Sequence, residues 1–310
     1  MTTSAIRCDL ATLGAYTKDT IVSKAGTRFV DGGGYSYAAH AARVAGIEVA
    51  AVTRLAPDDR RSTQALVAAG VYVVIHESRA STLMRLEYPT DNVDERILTV
   101  ATVADPFEPA DVAGIQARTW LVSASVRGEV SLTVLRALKA GGSTIGADVQ
   151  GFVRVVGDDG RLHYAPWPEQ REVLALVDVL KTDAVEAEFL TGTADIHRAA
   201  AMLADQGPRE IVLTHRDGVL VLAEGREHEA TFHAEPLRGR SGRGDTCIGS
   251  YLSSRLAKSP AESTIWAAAV TSLKMEAEGP IHRPLADVHA KIARHYALAA
   301  DGRRAANGPT

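Results

Sequence analysis

The sequence predicts an α/β fold, in which a doubly wound, mostly parallel β-sheet carries helices on both faces. Short apolar, β-branched runs alternate with longer alanine- and leucine-rich runs, as expected for strands that are followed by helices. Two other stretches alternate apolar and polar residues with little helical character, which indicates a second, smaller sheet. In open sheets of this kind, ligands bind beyond the carboxyl ends of the strands.

The predicted elements follow one another along a single domain that covers residues 1–310. The predicted strands are short and mostly apolar, and they cover 9–13, 49–53, 71–75, 120–123, 144–148, 179–182, 211–214 and 219–223. The predicted helices are richer in alanine and leucine, and they cover 35–45, 61–69, 132–140, 184–191 and 196–206.

The small projecting sheet is predicted within residues 16–31 and 82–100. The runs MRLEY and RILTV alternate in the way of half-covered antiparallel strands. We interpret this sheet as a lid, with a purely decorative hairpin as the alternative. If the sheet covers the site, Arg85 contacts the substrate; otherwise it is a solvated charge.

The bulk composition excludes some partners. The 310 residues are 46% apolar and 23% charged, and their formal charge is −4. This mild negative charge argues against a general affinity for nucleic acid or anionic membranes. Two cysteines are too few for a disulfide framework, and no apolar run is long enough to span a bilayer. We therefore expect a cytoplasmic protein without a membrane partner.

The segment SGRGD, residues 241–245, precedes an apolar helix of small residues and carries the strongest functional signal. Glycines let the backbone approach a ligand, and a helix start offers unpaired N–H groups, so the segment predicts a phosphate site. Asp245 would repel a bound anion. Its position makes sense if it accepts the proton of a hydroxyl that attacks a phosphoryl group. The alternative from spacing alone is a simple helix N-cap.

Residues 239–249, GRSGRGDTCIG, resemble the C-terminal signature D-T-x-G-A-G-D-x-F-x-G of the ribokinase-like (PfkB) carbohydrate kinases. The resemblance implies an ATP-dependent kinase with Asp245 as catalytic base. It also implies an anion hole built from the amides of Gly242, Arg243 and Gly244, in which the two glycines meet the nucleotide phosphates. Gly239 replaces the first aspartate of the signature, so the resemblance leaves open whether a cation is contacted at that position.

Two N-terminal motifs are similar to the same family and concern the acceptor. The run GGGYSYAAHAARVAG begins with a glycine pair, and the resemblance implies that Gly32 and Gly33 let the substrate lie against the backbone. Tyr37 stands where the family usually has asparagine and is either a substrate contact or a packing residue. Asp19 matches an aspartate that binds substrate hydroxyls, as a carboxylate can; without the resemblance it is a solvated turn residue. As a dinucleotide-binding loop the glycine run is a weak match.

Two further motifs resemble the donor side of these kinases. LKTDAVEAEFLTG is similar to the N-x-x-E segment, which implies that Asp183 lies at the nucleotide and that Glu186 helps to hold Mg²⁺ through water. Alone, it is an acidic helix start. IVLTHRDG is similar to a nucleotide-binding strand and turn, which implies contacts from Thr214 and Gly218, although the first glycine of that turn is missing.

The motif DVQGFVR, residues 148–154, limits the choice of acceptor substrate. It resembles the corresponding segment of the myo-inositol kinase branch of the family, which implies a substrate contact from Gln150. ADPF, SGRGDT and VTSLKMEAEGPI share this likeness, which spans nearly the whole chain. We therefore expect phosphorylation of a small polyol, a cyclitol such as myo-inositol. The alternatives are a nucleoside or furanose-sugar kinase and a non-catalytic ligand sensor on the same fold; an oxidoreductase would have to bind NAD and ignore ATP. A homodimer through the lid is a further expectation.

Overall fold

The computed structural model describes residues 5–24, 26–89 and 97–296. Its strands are β1 (Ile6–Leu13), β2 (Thr17–Ser23), β3 (Gly26–Gly32), β4 (Val49–Leu55), β5 (Tyr72–Glu77), β6 (Thr82–Glu87), β7 (Ile97–Thr102), β8 (Ile115–Val122), β9 (Thr144–Asp148), β10 (Arg154–Val156), β11 (Leu162–Tyr164), β12 (Val179–Asp183), β13 (Glu210–Thr214), β14 (Gly218–Ala223) and β15 (Arg226–Thr231). Its helices are α1 (Gly34–Arg43), α2 (Gln64–Ala68), α3 (Leu132–Ala140), α4 (Gln150–Val153), α5 (Gln170–Leu174), α6 (Ala184–Thr191), α7 (Ile196–Ala204), α8 (Arg243–Arg255), α9 (Pro260–Met275) and α10 (Leu285–His295).

The large sheet contains nine strands within the described residues, in the order β15-β14-β13-β12-β9-β8-β1-β4-β5. The strands from β13 to β5 run parallel, and β14 and β15 add an antiparallel edge. Central strands such as β1 and β4 are apolar almost throughout because both faces of the sheet are covered by helices. The predicted doubly wound α/β fold is confirmed.

A second sheet has the order β3-β2-β6-β7. Its outer pairs are antiparallel, whereas the inner pair, β2 and β6, runs parallel with Thr17 opposite Thr82. The two segments predicted for this sheet therefore supply its strands, in a mixed arrangement. Part of the second predicted segment, residues 90–96, lies outside the described residues.

Local sequence signals set the helix boundaries near the site. Helix α6 begins with a capping box, in which the Asp183 carboxylate accepts the amide of Glu186 at 2.8 Å and the Glu186 carboxylate accepts the amide of Asp183 at 3.0 Å. Helix α9 begins in the same way at Ser259 and Glu262. Helix α8 begins after Gly242, whose φ of 75° lies in the left-handed region that favours glycine.

Helices cover both faces of the large sheet and leave its carboxyl edge open. One apolar cluster packs α3, α5 and α7 against one face, and a second packs α1, α8 and α9 against the other. The polar residues Asp148 and Asp183 end β9 and β12, and Ser123 directly follows β8. Since parallel strands end at the same edge, these side chains meet there, as expected for a ligand site in such a sheet. In the described ranges, no helix combines the length and the apolar character that crossing a bilayer requires.

Candidate active site

A cavity of about 700 Å³ lies between the carboxyl edge of the large sheet, the start of α8 and the inner strands of the small sheet. Most of the residues that the sequence assigns to a site line this cavity: Asp19, Gly33, Tyr37, Gln150, Asp183, Thr214, Gly242, Arg243, Gly244 and Asp245. Residues more than two hundred positions apart in the chain are thus brought to one place.

The start of α8 forms one wall of the cavity and depends on two glycines. A Cβ on Gly242 would collide with the ring of Tyr37, and one on Gly244 would lie 2.7 Å from Lys181 Nζ. The amides of Gly244 and Asp245 find no backbone acceptor among the described residues, so they remain available to an anion. The amide of Arg243 differs from the predicted anion hole, since it donates to the carbonyl of Arg240 at 3.1 Å.

Asp245 lies in the first turn of α8 at the half-buried wall of this cavity. Its Oδ1 accepts a hydrogen bond of 2.9 Å from the hydroxyl of Ser123. A Cβ on Gly34 would collide with both of these oxygens, so the start of α1 passes close to the carboxylate only because it carries no side chain there. The geometry therefore fixes one oxygen of Asp245 and leaves the other for a ligand.

Asp19, on β2, lines the cavity from the small sheet. Its Oδ1 is buried and lacks a hydrogen-bond partner in the described part of the chain, which is the condition of an acceptor awaiting a ligand hydroxyl. Burial raises the pKa of Asp19 to about 6, against the lowering effect of the Thr17 hydroxyl, and the negative charge of Asp245 raises it further. Gly32 does not line the cavity but supports this wall, because a side chain there would strike Asp19 and Thr17.

Four charged side chains, three of them buried, form a network at the cavity floor. Lys181 Nζ is 3.0 Å from Asp148 and 3.9 Å from Glu186, and Arg154 Nη2 is 3.0 Å from Glu186 Oε1. Burial by itself would lower the pKa of Lys181, but the carboxylates of Asp148 and Glu186 raise it above its usual range, so the ammonium stays charged. Lys181 and Arg154 line the cavity, whereas Glu186 lies behind them.

This network bears on the expected Mg²⁺. Glu186 is fully buried, and its two oxygens accept Arg154 and the amide of Asp183. The carboxylate therefore does not fit a cation ligand that works through water, because two fixed cations already neutralise it. Asp183 lines the cavity and uses only Oδ1, for the amide of Glu186. Of the two carboxylates in the N-x-x-E-like segment, Asp183 is thus the better placed to meet a cation.

Two other predicted residues lie away from the cavity. Arg85, on β6, is exposed and pairs with the carboxylate of its neighbour Glu87. Gly218 begins β14, where its Cα lies so close to the carbonyl of Ala230 that a side chain would not fit, so this glycine serves strand packing.

The end of the cavity that adjoins a second, smaller cavity is rich in arginine; we call it the donor end. Arg216, Arg240 and Arg243 line it and also line an adjoining cavity of about 170 Å³. The guanidinium of Arg243 lies 6.0 Å from the centre of the Phe232 ring, which forms part of the smaller cavity. The electrostatics of this end favour a polyanion.

Sequence reasoning missed several residues that the structure places at the site. Ser123 is a single serine after an apolar strand, with no motif around it. Lys181, Arg154 and Lys274 lie inside motifs that the sequence singles out, and a signal was present: charged residues within otherwise apolar strand and helix patterns are expensive to bury and so point to a partner or a ligand.

This combination of a carboxylate beside open helix-start amides, with cations behind them, defines a phosphotransferase with an alcohol acceptor. The sequence model of the pfkB family of carbohydrate kinases matches residues 3–286. The chain belongs to this family, as the sequence motifs imply.

Solved structures agree with this assignment. A pyrophosphate-dependent kinase in the ribokinase family, complexed with a pyrophosphate analog and myo-inositol, is 31% identical with a TM-score of 0.84, covering 91% of this chain and 99% of its own. A pyrophosphate-dependent myo-inositol-1 kinase that two substitutions convert into a myo-inositol-3 kinase is 31% identical with a TM-score of 0.83, covering 93% and 99%. The ribokinase of Arabidopsis thaliana, with ribose and ATP, shares the fold at 19% identity and a TM-score of 0.73, covering 93% and 99%. No curated protein sequence matches the chain.

Proposed function

We propose that this kinase transfers a phosphoryl group from inorganic pyrophosphate to a hydroxyl of a cyclitol such as myo-inositol, with Asp245 as the base. The observation that carries the proposal is the place of Asp245: one oxygen is held by Ser123, and the carboxylate lines the same cavity as Asp19 and the open amides of Gly244 and Asp245. An acceptor hydroxyl and a donor phosphate can therefore meet beside it.

In the proposed reaction, the acceptor oxygen attacks the terminal phosphorus of the donor in line with the bond to the leaving phosphate. A new P–O bond forms, the old P–O bond breaks, and inorganic phosphate leaves with the bonding electron pair. The acceptor proton passes to Asp245. The helix-start amides, Lys181 and Arg154 stabilise the negative charge on the transferring group and the leaving group.

The acceptor half of the cavity suits a ring that bears several hydroxyls. Asp19 offers the unpaired buried oxygen, and Thr17 and Gln150 add polar groups to the lining. Leu86 and Leu98 supply apolar surface against which the C–H face of a ring can lie. The two structurally similar kinases that act on myo-inositol support this choice of acceptor.

Pyrophosphate is proposed as the donor because arginines occupy the donor end. The adjoining cavity of about 170 Å³ is lined by Arg216, Arg240 and Arg243, whose guanidinium groups complement phosphate charge, as well as by Asp217 and several apolar side chains. The pyrophosphate dependence of the kinases at 31% identity points the same way. ATP, the donor implied by the sequence motifs, is the second candidate, and Phe232 with Met275 is the observation in its favour. Mg²⁺ is expected to enter with the phosphates of either donor, with Asp183 beside it.

The test is a matrix of donors and acceptors. Pyrophosphate and ATP are each combined with myo-inositol, ribose, fructose and adenosine, with phosphate or ADP release measured and the product identified by mass. Turnover of myo-inositol with pyrophosphate supports the proposal. Turnover of nucleosides or furanose sugars alone defeats the cyclitol assignment, and strict use of ATP defeats the donor assignment.

The role of Asp245 is tested by Asp245→Asn, which keeps the shape but cannot accept the proton. We expect turnover to fall by roughly 10²- to 10⁴-fold, the contribution typical of a general base. Wild-type turnover in the variant would show that the base lies elsewhere. A cytoplasmic location and a homodimer formed through the small sheet stay predictions, as does the role of that sheet as a lid.

A further inference from the structure

Lys274 is a buried lysine to which the proposed reaction assigns no role. It lies in the last turn of α9 and is 1% exposed. Its ammonium donates a hydrogen bond of 3.0 Å to the carbonyl of Gly239 and lies 5.4 Å from the centre of the Tyr37 ring. Within the described residues, no carboxylate comes within ion-pair distance of it.

Residues 239–244 form the turn before and at the start of α8, which we call the donor turn. The contact of Lys274 with Gly239 is one of several that hold the beginning of this turn against the end of α9; we call this set of contacts the clamp. The amides of Arg238 and Gly239 both donate to the carbonyl of Met275, at 2.8 Å and 3.1 Å. A Cβ on Gly239 would lie 2.5 Å from the carbonyl oxygen of Ala277, so the turn rests directly on the end of α9. Lys274 completes this clamp from the carbonyl side of Gly239.

A buried ammonium without a carboxylate partner is costly, and an apolar side chain would be the cheaper way to fill this place. Burial lowers the pKa of Lys274 to about 8, an effect that the charges of Glu278 and Asp245 oppose. The carbonyl end of α9 offsets part of the cost because a helix C-terminus favours a cation. An anion bound at the open amides of the same turn would remove the remaining imbalance.

We propose that Lys274 is a positioning residue for the phosphate donor: its ammonium holds the 239–244 turn in the donor-binding conformation and supplies a fixed positive charge beside it. The proposal rests on one part of the proposed function, namely that this turn binds phosphate. It does not depend on which acceptor is used.

The direct test measures binding of inorganic pyrophosphate by calorimetry, with no acceptor present. Lys274→Met keeps the length of the side chain and removes the charge, and Lys139→Met serves as a control that removes a half-buried lysine paired with Asp178, away from the cavity. We expect the Kd for pyrophosphate to rise by roughly tenfold or more in Lys274→Met, a loss of ~1.4 kcal/mol. The control is expected to bind as the wild type does.

Two further measurements, one of KM values and one of pyrophosphate affinity, separate a positioning role of Lys274 from a general structural role. In Lys274→Met the donor KM is expected to rise while the acceptor KM stays within about twofold, since uniform damage would move both. In Lys274→Ala, whose short side chain leaves the space of the lysine open, added methylammonium or ammonium ion is expected to restore part of the pyrophosphate affinity, and to leave Lys139→Met unaffected. Unchanged pyrophosphate binding in Lys274→Met, or a loss that falls equally on both substrates and resists both amines, overturns the proposal.

A second measurement covers the case in which Lys274→Met does not fold. Sulfate, whose charge is constant near neutral pH, is titrated into the wild-type protein between about pH 7 and pH 9.5. The groups that face the ammonium are Glu278, Asp245, Arg28 and Tyr37, and burial raises the pKa of Tyr37 beyond this range. Affinity for sulfate is therefore expected to weaken as pH rises through about 8, where Lys274 loses its proton. A flat profile overturns the proposal. If pyrophosphate and sulfate bind in this way but no acceptor is phosphorylated, the proposed function fails while the role of Lys274 stands.

Discussion

The hydroxyl of Ser123 donates a hydrogen bond of 2.9 Å to Oδ1 of Asp245. Ser123 directly follows the central strand β8, and Asp245 lies in the first turn of α8, so the bond ties the helix that carries the proposed base to the middle of the large sheet. Ser123 is fully buried, and its hydroxyl is therefore shielded from competing water. Because Oδ1 is occupied, Oδ2 is the oxygen that we expect to receive the acceptor proton.

Ser123→Ala is expected to lower kcat by roughly tenfold, because a buried hydrogen bond to a charged group contributes about 1.5–3 kcal/mol and its loss lets the carboxylate rotate. Steady-state kinetics measure this, with the donor KM unchanged. Ser123→Thr, which keeps the hydroxyl, should recover part of the rate, and Ser131→Ala at the exposed start of α3 serves as the control. A Ser123→Ala enzyme with wild-type kcat would show that the bond has no role in orienting Asp245.

Gly34→Ala is expected to abolish most of the activity while the protein stays folded. The added Cβ would occupy the space of Asp245 Oδ1 and Ser123 Oγ, so the carboxylate must move. A displacement of this kind typically costs about 10²-fold in rate. Gly114→Ala is the matched control, since nothing lies within 4 Å of its added Cβ. The comparison needs kcat/KM and a thermal melt for both variants; equal activity in the two would contradict the close approach.

The pKa of Asp19, raised by burial to about 6, predicts a pH dependence of acceptor binding. The ionised carboxylate accepts hydroxyl hydrogen bonds, so the acceptor KM should be constant above about pH 7 and rise as the pH falls through 6. Asp19→Asn should raise the KM at neutral pH and remove this dependence. Binding that weakens on the alkaline side, or a profile unaltered by the substitution, would exclude Asp19 as the titrating group.

Glu186→Gln should act on stability more than on metal binding. The substitution leaves Arg154 and part of the Lys181 charge without a buried counter-charge, which we expect to cost about 3–5 kcal/mol in the free energy of unfolding. Denaturant titration measures this, and Glu188→Gln on the exposed side of the same helix is the control. The Mg²⁺ concentration needed for half-maximal rate should change little; a large increase with normal stability would restore Glu186 to a metal role.

The sequence predicts the fold well because its signals are local. Strand β9 and helices α3 and α6 occur at their predicted residues. Helix α3 shows a clear helical periodicity, α6 begins with a capping box, and β9 is a short run that is buried almost throughout. Strand β15 and helix α10 are absent from the predicted elements. REHEAT is too polar to indicate a strand, and its pairing with β14 supplies what its own sequence does not signal. Helix α10 has a local signal that the prediction overlooked, since Pro284 directly precedes it and its apolar residues recur at helical spacing.

The residues of the candidate site also fall into two groups, those that a local motif predicts and those that depend on partners distant in sequence. Asp245 and the glycines around it are predicted because they are adjacent in the chain, and together they match the signature of a known family. Ser123 and Lys181 act only through partners on other elements, the first across 122 positions of sequence. A contact of that separation leaves no pattern in a single sequence, and only the folded chain reveals it.

The parallel pairing of β2 with β6 has a mechanical consequence. Each of these inner strands leaves the large sheet through a short connection, residues 14–16 and residues 78–81, and the two are cross-linked by the ladder between them. A third short attachment comes from β3, which only Gly33 separates from α1. Bending one connection alone would shear the ladder between the inner strands. Asp19 lies on β2 and Asp245 on α8, so a tilt of the small sheet against the large one would change the distance between these two carboxylates. The spacing between the proposed acceptor-binding residue and the proposed base would thus follow the angle of a whole sheet.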